Sequence, residues 1–437
     1  MIKASALALL ASMACIQSKA QTTLPPEKQW FLDAKYGTFI HWCIEREKSQ
    51  EEAKQSQESY KASALEGAKA FTATQYDPKA WAKMMKEWGA QYVVLTTKHH
   101  VGFALFDSPR SRFTAKKSSP ARRDVLTAYC EEMRAEGLKV GLYYSLPDRC
   151  HPDYFKIVLK EDKKTIDSSR TDFKAWKRFT DDMLFEVSHL CRNYGKIDLF
   201  WFDGDWEHSA DSWRSFQIMD TVKKYQPWAV VNNRLRHQNL GDYSTPEMII
   251  PMKAPTSNAA WELCTTLGFN WNGPDAGKHL KEPEELVQIL MHTAGLGGNL
   301  LLNVAPDQRG HISIEQVEKK KALGEWIKIN QEAIFGTRAG LPVGLYDGPS
   351  TRKGNTLYLF VPPGRKGKLI LKNISSSIAS ARILGTQTML EHAALRDYHE
   401  GQPNSKNWKY IHLPANESTL GLVIEVKWVG EELKISQ

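Results

Sequence analysis

The stretch IDLFWFDGDW, residues 197–206, contains the pattern that decides the fold of this 437-residue chain. Its first part is almost entirely apolar, and the apolar run stops at Asp203, which a glycine follows. A strand that is apolar nearly throughout is buried on both faces, as in parallel sheets covered by helices. The stretch therefore predicts a parallel α/β fold with a carboxylate at the end of one strand.

Runs of the same character recur between residues 30 and 336, and amphipathic stretches separate them. The predicted strands are residues 36–42, 92–96, 139–144, 197–202, 229–231 and 300–304. The predicted helices are residues 78–88, 125–136, 173–193, 212–225, 283–293 and 313–330. Six or more strand–helix units over about 300 residues predict a (β/α)8-like TIM barrel. No glycine-rich phosphate-binding motif follows any of these strands, so nucleotide binding has no support.

The pattern changes after residue 341, where short apolar runs alternate with Pro and Gly turns. Such spacing predicts a small C-terminal antiparallel β-sandwich with a packing or accessory role. The expected organisation is therefore a leader at 1–20, a catalytic barrel at 21–340 and a sandwich at 341–437. Residues 44–75 are polar and could form a surface helix or a long loop between a strand and a helix. Residues 49–68 have modest helical character and show no apolar stripe, so we expect a solvated insertion.

The first twenty residues have the features of an export signal. Lys3 supplies the positive start, residues 4–16 are largely apolar, and residues 18–20 offer a cleavage site between small residues. The apolar run is too short to span a bilayer, which takes about 20 residues. Lipoprotein processing at Cys15 is the alternative. The sequence thus predicts an exported, periplasmic or extracellular protein without a membrane-spanning segment.

Composition and charge exclude further classes of protein. Hydrophobic residues make up 42% of the chain and charged residues 25%, so a disordered chain is ruled out. The net charge is +8, but Lys and Arg are interleaved with Asp and Glu. No nucleic-acid motif is present, so we expect no nucleic-acid partner. The 14 Trp residues suit either carbohydrate binding or core packing. The oligomeric state stays open, a homo-oligomer included.

Polar and aromatic side chains follow the predicted strands, at positions that line one mouth of a barrel. In chain order they are His41, His99, His100, Tyr144, Asp148, Asp203, Asp205, Asn232, Asn233, Arg234, Glu247, Trp261 and Glu262. Glycoside hydrolysis needs two carboxyl groups, one on each side of the bond that breaks. Asp203 is the candidate nucleophile, and either Glu247 or Glu262 could be the acid/base.

The tandem pair His99 and His100 has three readings. Neighbouring residues of a strand point to opposite faces, which is poor geometry for a metal site. At the end of a strand both side chains can turn toward the mouth and bind sugar hydroxyls, which we favour over a buried structural pair. His41 has the same alternatives. Serine-hydrolase and zinc-protease motifs are absent from the sequence.

A series of short segments gives a more specific indication. They are WFLDAKYG (30–37), FIHW (39–42), VLTTKHH (94–100), GF (102–103), GLYYSL (141–146), LFWFDG (199–204), VNNR (231–234), TPE (245–247), WE (261–262) and GGNLLLNV (297–304). In this order they resemble the α-L-fucosidases of glycoside hydrolase family 29. The resemblance covers about residues 28–340, and the C-terminal part resembles the sandwich of that family.

The resemblance implies a retaining exo-glycosidase that removes terminal α-L-fucose from glycans by double displacement, with no metal and no cofactor. It implies Asp203 as nucleophile and Glu247 as acid/base, while other members of the family favour the position of Glu262. The implied sugar-binding residues are His41, His99, His100, Tyr144, Trp201, Arg234 and Trp271.

The chain departs from the family pattern around the sugar pocket. Val101 replaces an acid, Cys43 replaces a glycine, and Arg149 with Cys150 replaces a Trp-His pair. A Glu-Trp-Tyr element of the family is also missing. Two alternatives therefore stay open: a glycosidase for a related sugar such as an α-L-galactoside, or a non-catalytic carbohydrate-binding protein on a degenerate barrel.

Overall fold

The computed structural model describes residues 23–44, 56–157, 159–160, 166–237, 240–395, 407–415, 418–430 and 433–435. The predicted leader, with Cys15, lies outside these residues, as does part of the polar insertion at 44–75. Across the described ranges, no helix combines the length and the apolar character needed to cross a membrane.

Eight parallel strands form the first sheet. They are β1 (Tyr36–Ile40), β2 (Tyr92–Lys98), β3 (Lys139–Ser145), β4 (Leu199–Asp203), β5 (Val230–Val231), β6 (Tyr243–Ser244), β7 (Ala260–Thr265) and β8 (Asn299–Val304). Their order is β5-β4-β3-β2-β1-β8-β7-β6, and a parallel bridge from Asn232 to Tyr243 joins the two ends. The sheet is a nearly closed parallel barrel, which confirms the predicted fold class.

Helices connect the strands and cover the outside of the barrel. They are α1 (Trp30–Ala34), α2 (Gln57–Ala70), α3 (Pro78–Glu87), α4 (Ala115–Ser118), α5 (Leu126–Ala135), α6 (Phe173–Asn193), α7 (Ala210–Trp213), α8 (Ser215–Tyr225), α9 (Pro283–Gly295) and α10 (Ile314–Ile334). Side-chain caps start several of them: Asp77 accepts from the backbone N–H of Ala80 at α3, and Asp172 does the same for α6. Arg214 adopts a left-handed φ of 55° and divides the helix predicted at 212–225 into α7 and α8.

Two features of the barrel differ from the sequence prediction. Two strands of the barrel were not among the predicted strands. The strand β6 is only two residues long, and Glu262 interrupts the apolar pattern of β7. The expectation that the insertion has no apolar stripe was wrong for α2. Tyr60, Ala64 and Ala68 are buried at four-residue spacing on that helix, and two small alanines made the stripe inconspicuous.

The direction of each strand side chain decides what reaches the mouth of the barrel. Successive side chains alternate between the two sides of a strand. Phe39, Tyr92, Tyr143 and Trp201 point inward and form one aromatic cluster inside the barrel. The residues next to these in each strand, such as Leu142 in β3 and Phe200 in β4, point outward and pack against the helices. The barrel interior is therefore filled with aromatic rings beneath its open end.

The C-terminal part consists of two antiparallel sheets. Its strands are β9 (Arg338–Ala339), β10 (Ser350–Lys353), β11 (Thr356–Val361), β12 (Gly367–Leu371), β13 (Ile378–Ile383), β14 (His392–Ala394), β15 (Lys409–Leu413) and β16 (Leu422–Trp428). One sheet has the order β13-β16-β11-β10-β9 and the other β12-β15-β14. Leu359 and Ile424 of the five-stranded sheet share a core with Leu369 and Ile411 of the three-stranded sheet. This arrangement is the antiparallel β-sandwich that the sequence predicts, and β9 begins just ahead of the boundary drawn at residue 340.

Candidate active site

A pocket of about 150 Å³ opens at the carboxyl ends of the barrel strands. The residues that line it are Phe39, His41, His99, His100, Tyr143, Trp201, Asp203, Trp206, Arg234, Glu247 and Trp271. Asp148, Asp205, Asn232, Asn233 and Trp261, which the strand ends also placed at the mouth, are not part of this lining. All but two of the residues predicted as catalytic or sugar-binding do belong to it. The exceptions are Tyr144 and Glu262.

Asp203 is the last residue of β4 and lies at the inner wall of the pocket. Its Oδ2 accepts a hydrogen bond from the Tyr143 hydroxyl at 2.9 Å, and its Oδ1 pairs with Nη1 of Arg234 at 2.9 Å. Burial alone would raise the pKa of Asp203. The positive charges of Arg234 and then His100, with the two hydrogen bonds, hold that pKa below its usual value. The side chain is therefore an ionised carboxylate at neutral pH, the form that a nucleophile needs.

Gly204 makes the strand end at this place. Its φ is 80°, and a Cβ here would lie 2.2 Å from Cδ of Pro147. Glycine alone combines this left-handed backbone with so close an approach. The chain can therefore turn away directly after Asp203 and leave its carboxylate facing the pocket.

Glu247 follows β6 and lies at the outer edge of the pocket. It forms a parallel bridge with Cys264 of β7, which anchors its backbone. Its side chain is 39% exposed, and its Oε2 pairs with Nη2 of Arg234 at 2.6 Å. One guanidinium thus joins the carboxyl groups of Asp203 and Glu247. This arrangement is compatible with the separation of about 5–5.5 Å between the two carboxyl groups of retaining glycosidases.

Arg234 is a fixed cation between these two acids. Its Nε donates to Oγ1 of Thr245 at 2.9 Å, and its guanidinium lies 4.4 Å from the centre of the Trp201 ring. Burial would lower the pKa of Arg234, but the charges of Asp203 and Glu247 raise it above its usual value. Arg234 therefore stays charged, and it stabilises negative charge on both carboxylates.

The three predicted histidines lie together on one side of the pocket. Nδ1 of His41 is 2.7 Å from Oδ1 of Asn303, and Nδ1 of His100 is 2.6 Å from Oγ of Ser145. His99 stacks on the ring of Tyr143 at 5.5 Å. Burial, followed by the neighbouring charge of His99, lowers the pKa of His41 to about 3. His41 is therefore a neutral imidazole that can exchange hydrogen bonds with a sugar hydroxyl.

The described residues include no group of three or more His, Cys, Asp or Glu side chains arranged to hold a metal ion. Aromatic rings form the remaining wall of the pocket instead. Trp271 lies 4.9 Å from the ring of His41 and 6.0 Å from that of Phe39. Trp206 is half exposed and meets the ring of His100 edge-on at 5.8 Å. This wall offers apolar contact to the C–H groups of a sugar.

Tyr144 does not lie in the pocket, so its prediction as a sugar ligand was wrong. Its hydroxyl donates to Glu186 at 2.7 Å and accepts from Nζ of Lys98 at 2.8 Å, on the outer side of β3. Tyr143, the residue before it, points inward and takes the position in the lining. The cause is the alternation of side chains along a strand, whose phase two adjacent tyrosines do not reveal.

Glu262 is fully buried inside the barrel and is not part of the pocket lining. Its two oxygens accept hydrogen bonds from the Tyr92 hydroxyl at 2.5 Å and from Nε1 of Trp201 at 3.0 Å. Burial raises its pKa to about 7, although both of these donors oppose the shift. This position does not suit the acid/base role that was the second choice for Glu262. The side chain instead holds the indole of Trp201 in place by accepting its N–H inside the barrel.

The sequence interpretation did not include three lining residues, Phe39, Tyr143 and Trp206. Phe39 lies two positions before His41, and the period of two would have placed it on the same side of β1. Tyr143 is the register partner of Trp201, which also points inward. That register is a property of the folded sheet and is not readable from either strand alone.

Comparison with known proteins adds an independent observation. The family model described as alpha-L-fucosidase matches residues 10–332. The tissue alpha-L-fucosidase of Homo sapiens is 30% identical over 395 residues, which cover 83% of this chain and 82% of that protein.

Two solved structures give similar agreement. Alpha-L-fucosidase isoenzyme 1 from Paenibacillus thiaminolyticus is 29% identical, with a TM-score of 0.76 and coverage of 93% of this chain and 99% of that one. The second is an alpha-L-fucosidase of glycoside hydrolase family 29 from Bacteroides thetaiotaomicron, solved as a trapped covalent intermediate with 2-fluoro-fucosyl fluoride. It is 25% identical, with a TM-score of 0.80 and coverage of 94% and 98%.

Proposed function

This chain belongs to the α-L-fucosidase family, glycoside hydrolase family 29, and from that membership we propose which of its residues carry each step of the reaction. It is a retaining glycoside hydrolase that acts on α-L-fucosides. One observation supports the assignment of residues most strongly. Asp203 and Glu247 face the same pocket and are joined by a single guanidinium, that of Arg234.

In the first step, an oxygen of Asp203 attacks C1 of the fucose ring, and the bond from C1 to the leaving oxygen breaks. Glu247 gives its proton to that oxygen, so the aglycone departs as a neutral alcohol. The sugar enters between the two carboxyl groups and replaces the contact of Glu247 with Arg234, which allows Glu247 to carry the proton. The product of this step is a fucosyl ester of Asp203.

In the second step, Glu247 acts as the base. It takes a proton from a water molecule, and the water oxygen attacks C1 and displaces the carboxylate of Asp203. Two inversions at C1 give net retention. Arg234 and the Tyr143 hydroxyl stabilise the negative charge that returns to Asp203, because both already bind that carboxylate.

Recognition of the sugar follows from the two sides of the pocket. His41, His99 and His100 offer ring nitrogens for the hydroxyl groups of fucose. Trp271 and Phe39 offer apolar contact for its C6 methyl group. An α-L-galactoside carries a hydroxyl on C6. Apolar pockets reject an added hydroxyl by only about 100-fold, so we expect a fucose preference of that order in kcat/KM.

Substitution of the nucleophile tests this assignment. Asp203→Ala should lower hydrolysis of an aryl α-L-fucoside by several orders of magnitude, and azide should partly restore it with a fucosyl azide of inverted configuration. Asp211→Ala is the matched control, because Asp211 is an exposed aspartate of α7 outside the pocket. Activity like that of the unsubstituted enzyme in Asp203→Ala would remove the assignment and would favour a different nucleophile.

We also propose that the protein is exported and that the leader at 1–20 is removed. The charged start, the apolar run and the small residues at the cleavage site support this proposal. Mass spectrometry of the mature N-terminus should find Gln21 as the first residue. A lipid-modified Cys15 at the N-terminus would indicate the lipoprotein alternative, and an intact Met1 would contradict export.

A further inference from the structure

Large apolar side chains are exposed beside the mouth of the pocket. Trp206 follows β4 and is 50% exposed, while Met248 and Ile249 follow β6 and are 45% and 78% exposed. We refer to these three side chains as the apolar rim. The strand between β4 and β6 is β5, which Arg234 follows, so the apolar rim flanks the guanidinium that joins Asp203 and Glu247.

The backbone holds Met248 and Ile249 directly against the proposed acid/base. The N–H of Met248 donates to the carbonyl of Cys264 at 2.9 Å, and the N–H of Ile249 donates to the carbonyl of Glu247 at 2.8 Å. This three-residue turn gives Met248 a φ of 65°, a left-handed conformation that is strained for a side chain of this size. The turn leaves Ile249 largely open to solvent.

The side chain of Met248 has a defined place. Its sulfur lies 3.8 Å from the hydroxyl oxygen of Thr265 and 3.9 Å from that of Thr266, at the end of β7. It therefore lies across the end of a neighbouring barrel strand. Burial inside the protein explains neither Met248 nor Ile249, since both are exposed.

The chemistry of the pocket determines what passes this rim. Asp203 attacks one face of C1, and the leaving oxygen departs on the opposite side, within reach of Glu247. The group attached to that oxygen must therefore emerge beside Glu247, where Met248 and Ile249 follow in the chain. This position of the aglycone rests on the proposed roles of Asp203 and Glu247.

We propose that the apolar rim is the binding subsite for the first group of the aglycone and that it selects aglycones with an apolar surface, such as alkyl or aryl groups. Removing apolar surface from water is favourable, and each buried methylene corresponds to roughly fourfold in an equilibrium or rate ratio. The half-exposed Trp206 ring supplies a flat apolar face on the other side of the opening. Hydroxyl groups of the aglycone would find no charged partner among these three side chains.

The test compares methyl α-L-fucoside with n-butyl α-L-fucoside as competing substrates of the full-length enzyme. The two leaving alcohols have similar basicity, so bond cleavage is equally demanding, and only the apolar surface of the aglycone differs. Three additional methylenes would give about 60-fold if they were fully buried, and the rim is itself partly exposed, so we expect a kcat/KM ratio, butyl over methyl, on the order of tenfold. A ratio near one would overturn the proposal. Failure to hydrolyse either compound or an aryl α-L-fucoside would contradict the proposed function itself.

Variants then locate the preference. Met248→Ser and Ile249→Ser should each move the ratio toward one, whereas Met248→Leu and Ile249→Leu should keep it. The controls are Met389→Ser and Ile329→Ser, which remove the same side chains at 62% and 61% exposure on the sandwich and on α10. Because the readout is a ratio within one sample, loss of active protein does not affect it. An equal drop in the controls, or an unchanged ratio in both rim variants, would overturn the proposal.

Discussion

Glu262→Gln distinguishes a buried structural carboxyl from an acid/base by its effect on stability at different pH values. In the folded protein the pKa of Glu262 is raised to about 7, because the side chain is buried. The usual value for this group is 4.5. Glutamine has the same shape, and its amide oxygen can still accept the hydrogen bond from Nε1 of Trp201.

The sign and size of the effect follow from proton linkage. Below pH 4.5 the carboxyl is protonated in both the folded and the unfolded chain, and its full contribution to stability is present. Between pH 4.5 and 7 the unfolded chain releases the proton while the folded chain keeps it, so the free energy of unfolding falls as pH rises. The total loss is about 3 kcal/mol. Glutamine does not ionise, so the variant lacks this loss.

The assay is equilibrium unfolding in urea, followed by Trp fluorescence at several pH values from 4.5 to 8.5. The stability of Glu262→Gln relative to the unsubstituted protein should improve by about 3 kcal/mol over this range. Glu425→Gln is the control, because Arg382 holds the pKa of Glu425 below its usual value by hydrogen bonding and charge. The stability that Glu425 adds is present above pH 4.5 and lost in acid. The difference in free energy of unfolding between Glu425→Gln and the unsubstituted protein should therefore stay constant above pH 5.5.

Activity of the same variant completes the test. Glu262→Gln should keep hydrolysis of an aryl α-L-fucoside within about tenfold, because Glu262 does not line the pocket, whereas loss of a general acid costs about 100- to 10,000-fold. A flat stability difference across pH 4.5–8.5 would refute the reasoning on burial. A loss of activity of several orders of magnitude with unchanged Trp fluorescence would restore Glu262 as the acid/base.

Two further substitutions probe the surroundings of Asp203, and a third, at Tyr144, is the comparison for the second. Arg234→Met removes the charge that lowers the pKa of Asp203, so the acidic limb of the pH profile of kcat/KM should move to higher pH. The profile is measured with an aryl α-L-fucoside, and an unmoved acidic limb would contradict the role of Arg234. Tyr143→Phe removes one hydrogen bond to Asp203 and should lower kcat/KM by roughly 10- to 100-fold. Tyr144→Phe should instead lower the melting temperature with little change in kcat/KM, because its hydroxyl contacts Glu186 on the outer side of β3; the reverse pattern would refute both.

The barrel could be predicted from the sequence because its signals are local. Strands such as β4 are apolar over consecutive residues, and helices such as α6 show their period within one segment. The strand β7 was not predicted because it carries Glu262 at a buried position, and a charged residue inside a strand interrupts the apolar pattern. A buried carboxyl of this kind is recognisable only when its two donors, Tyr92 and Trp201, are known.

The site could be predicted in its residue types but not in its depth. Asp203 is the last residue of β4 and Arg234 comes shortly after the end of β5, so their place at the mouth was readable from the strand ends. Glu247 and Glu262 are equally plausible in sequence as the second carboxyl group. In the structure, Glu247 lies at the mouth and Glu262 lies inside the barrel. The difference depends on the register between β6 and β7, which is a long-range pairing. The same holds for the choice between Tyr143 and Tyr144.

In the proposed mechanism, the carboxylate of Asp203 bonds to C1 of the sugar while Glu247 donates and accepts the proton. The direct measurement is to incubate the protein with 2-fluoro-fucosyl fluoride and to map the modified residue by peptide mass spectrometry, with Asp203→Ala treated in parallel. We expect one 2-fluorofucosyl group on Asp203 and none in the variant. A sugar on Glu247 or Glu262, or unchanged labelling in Asp203→Ala, would contradict it.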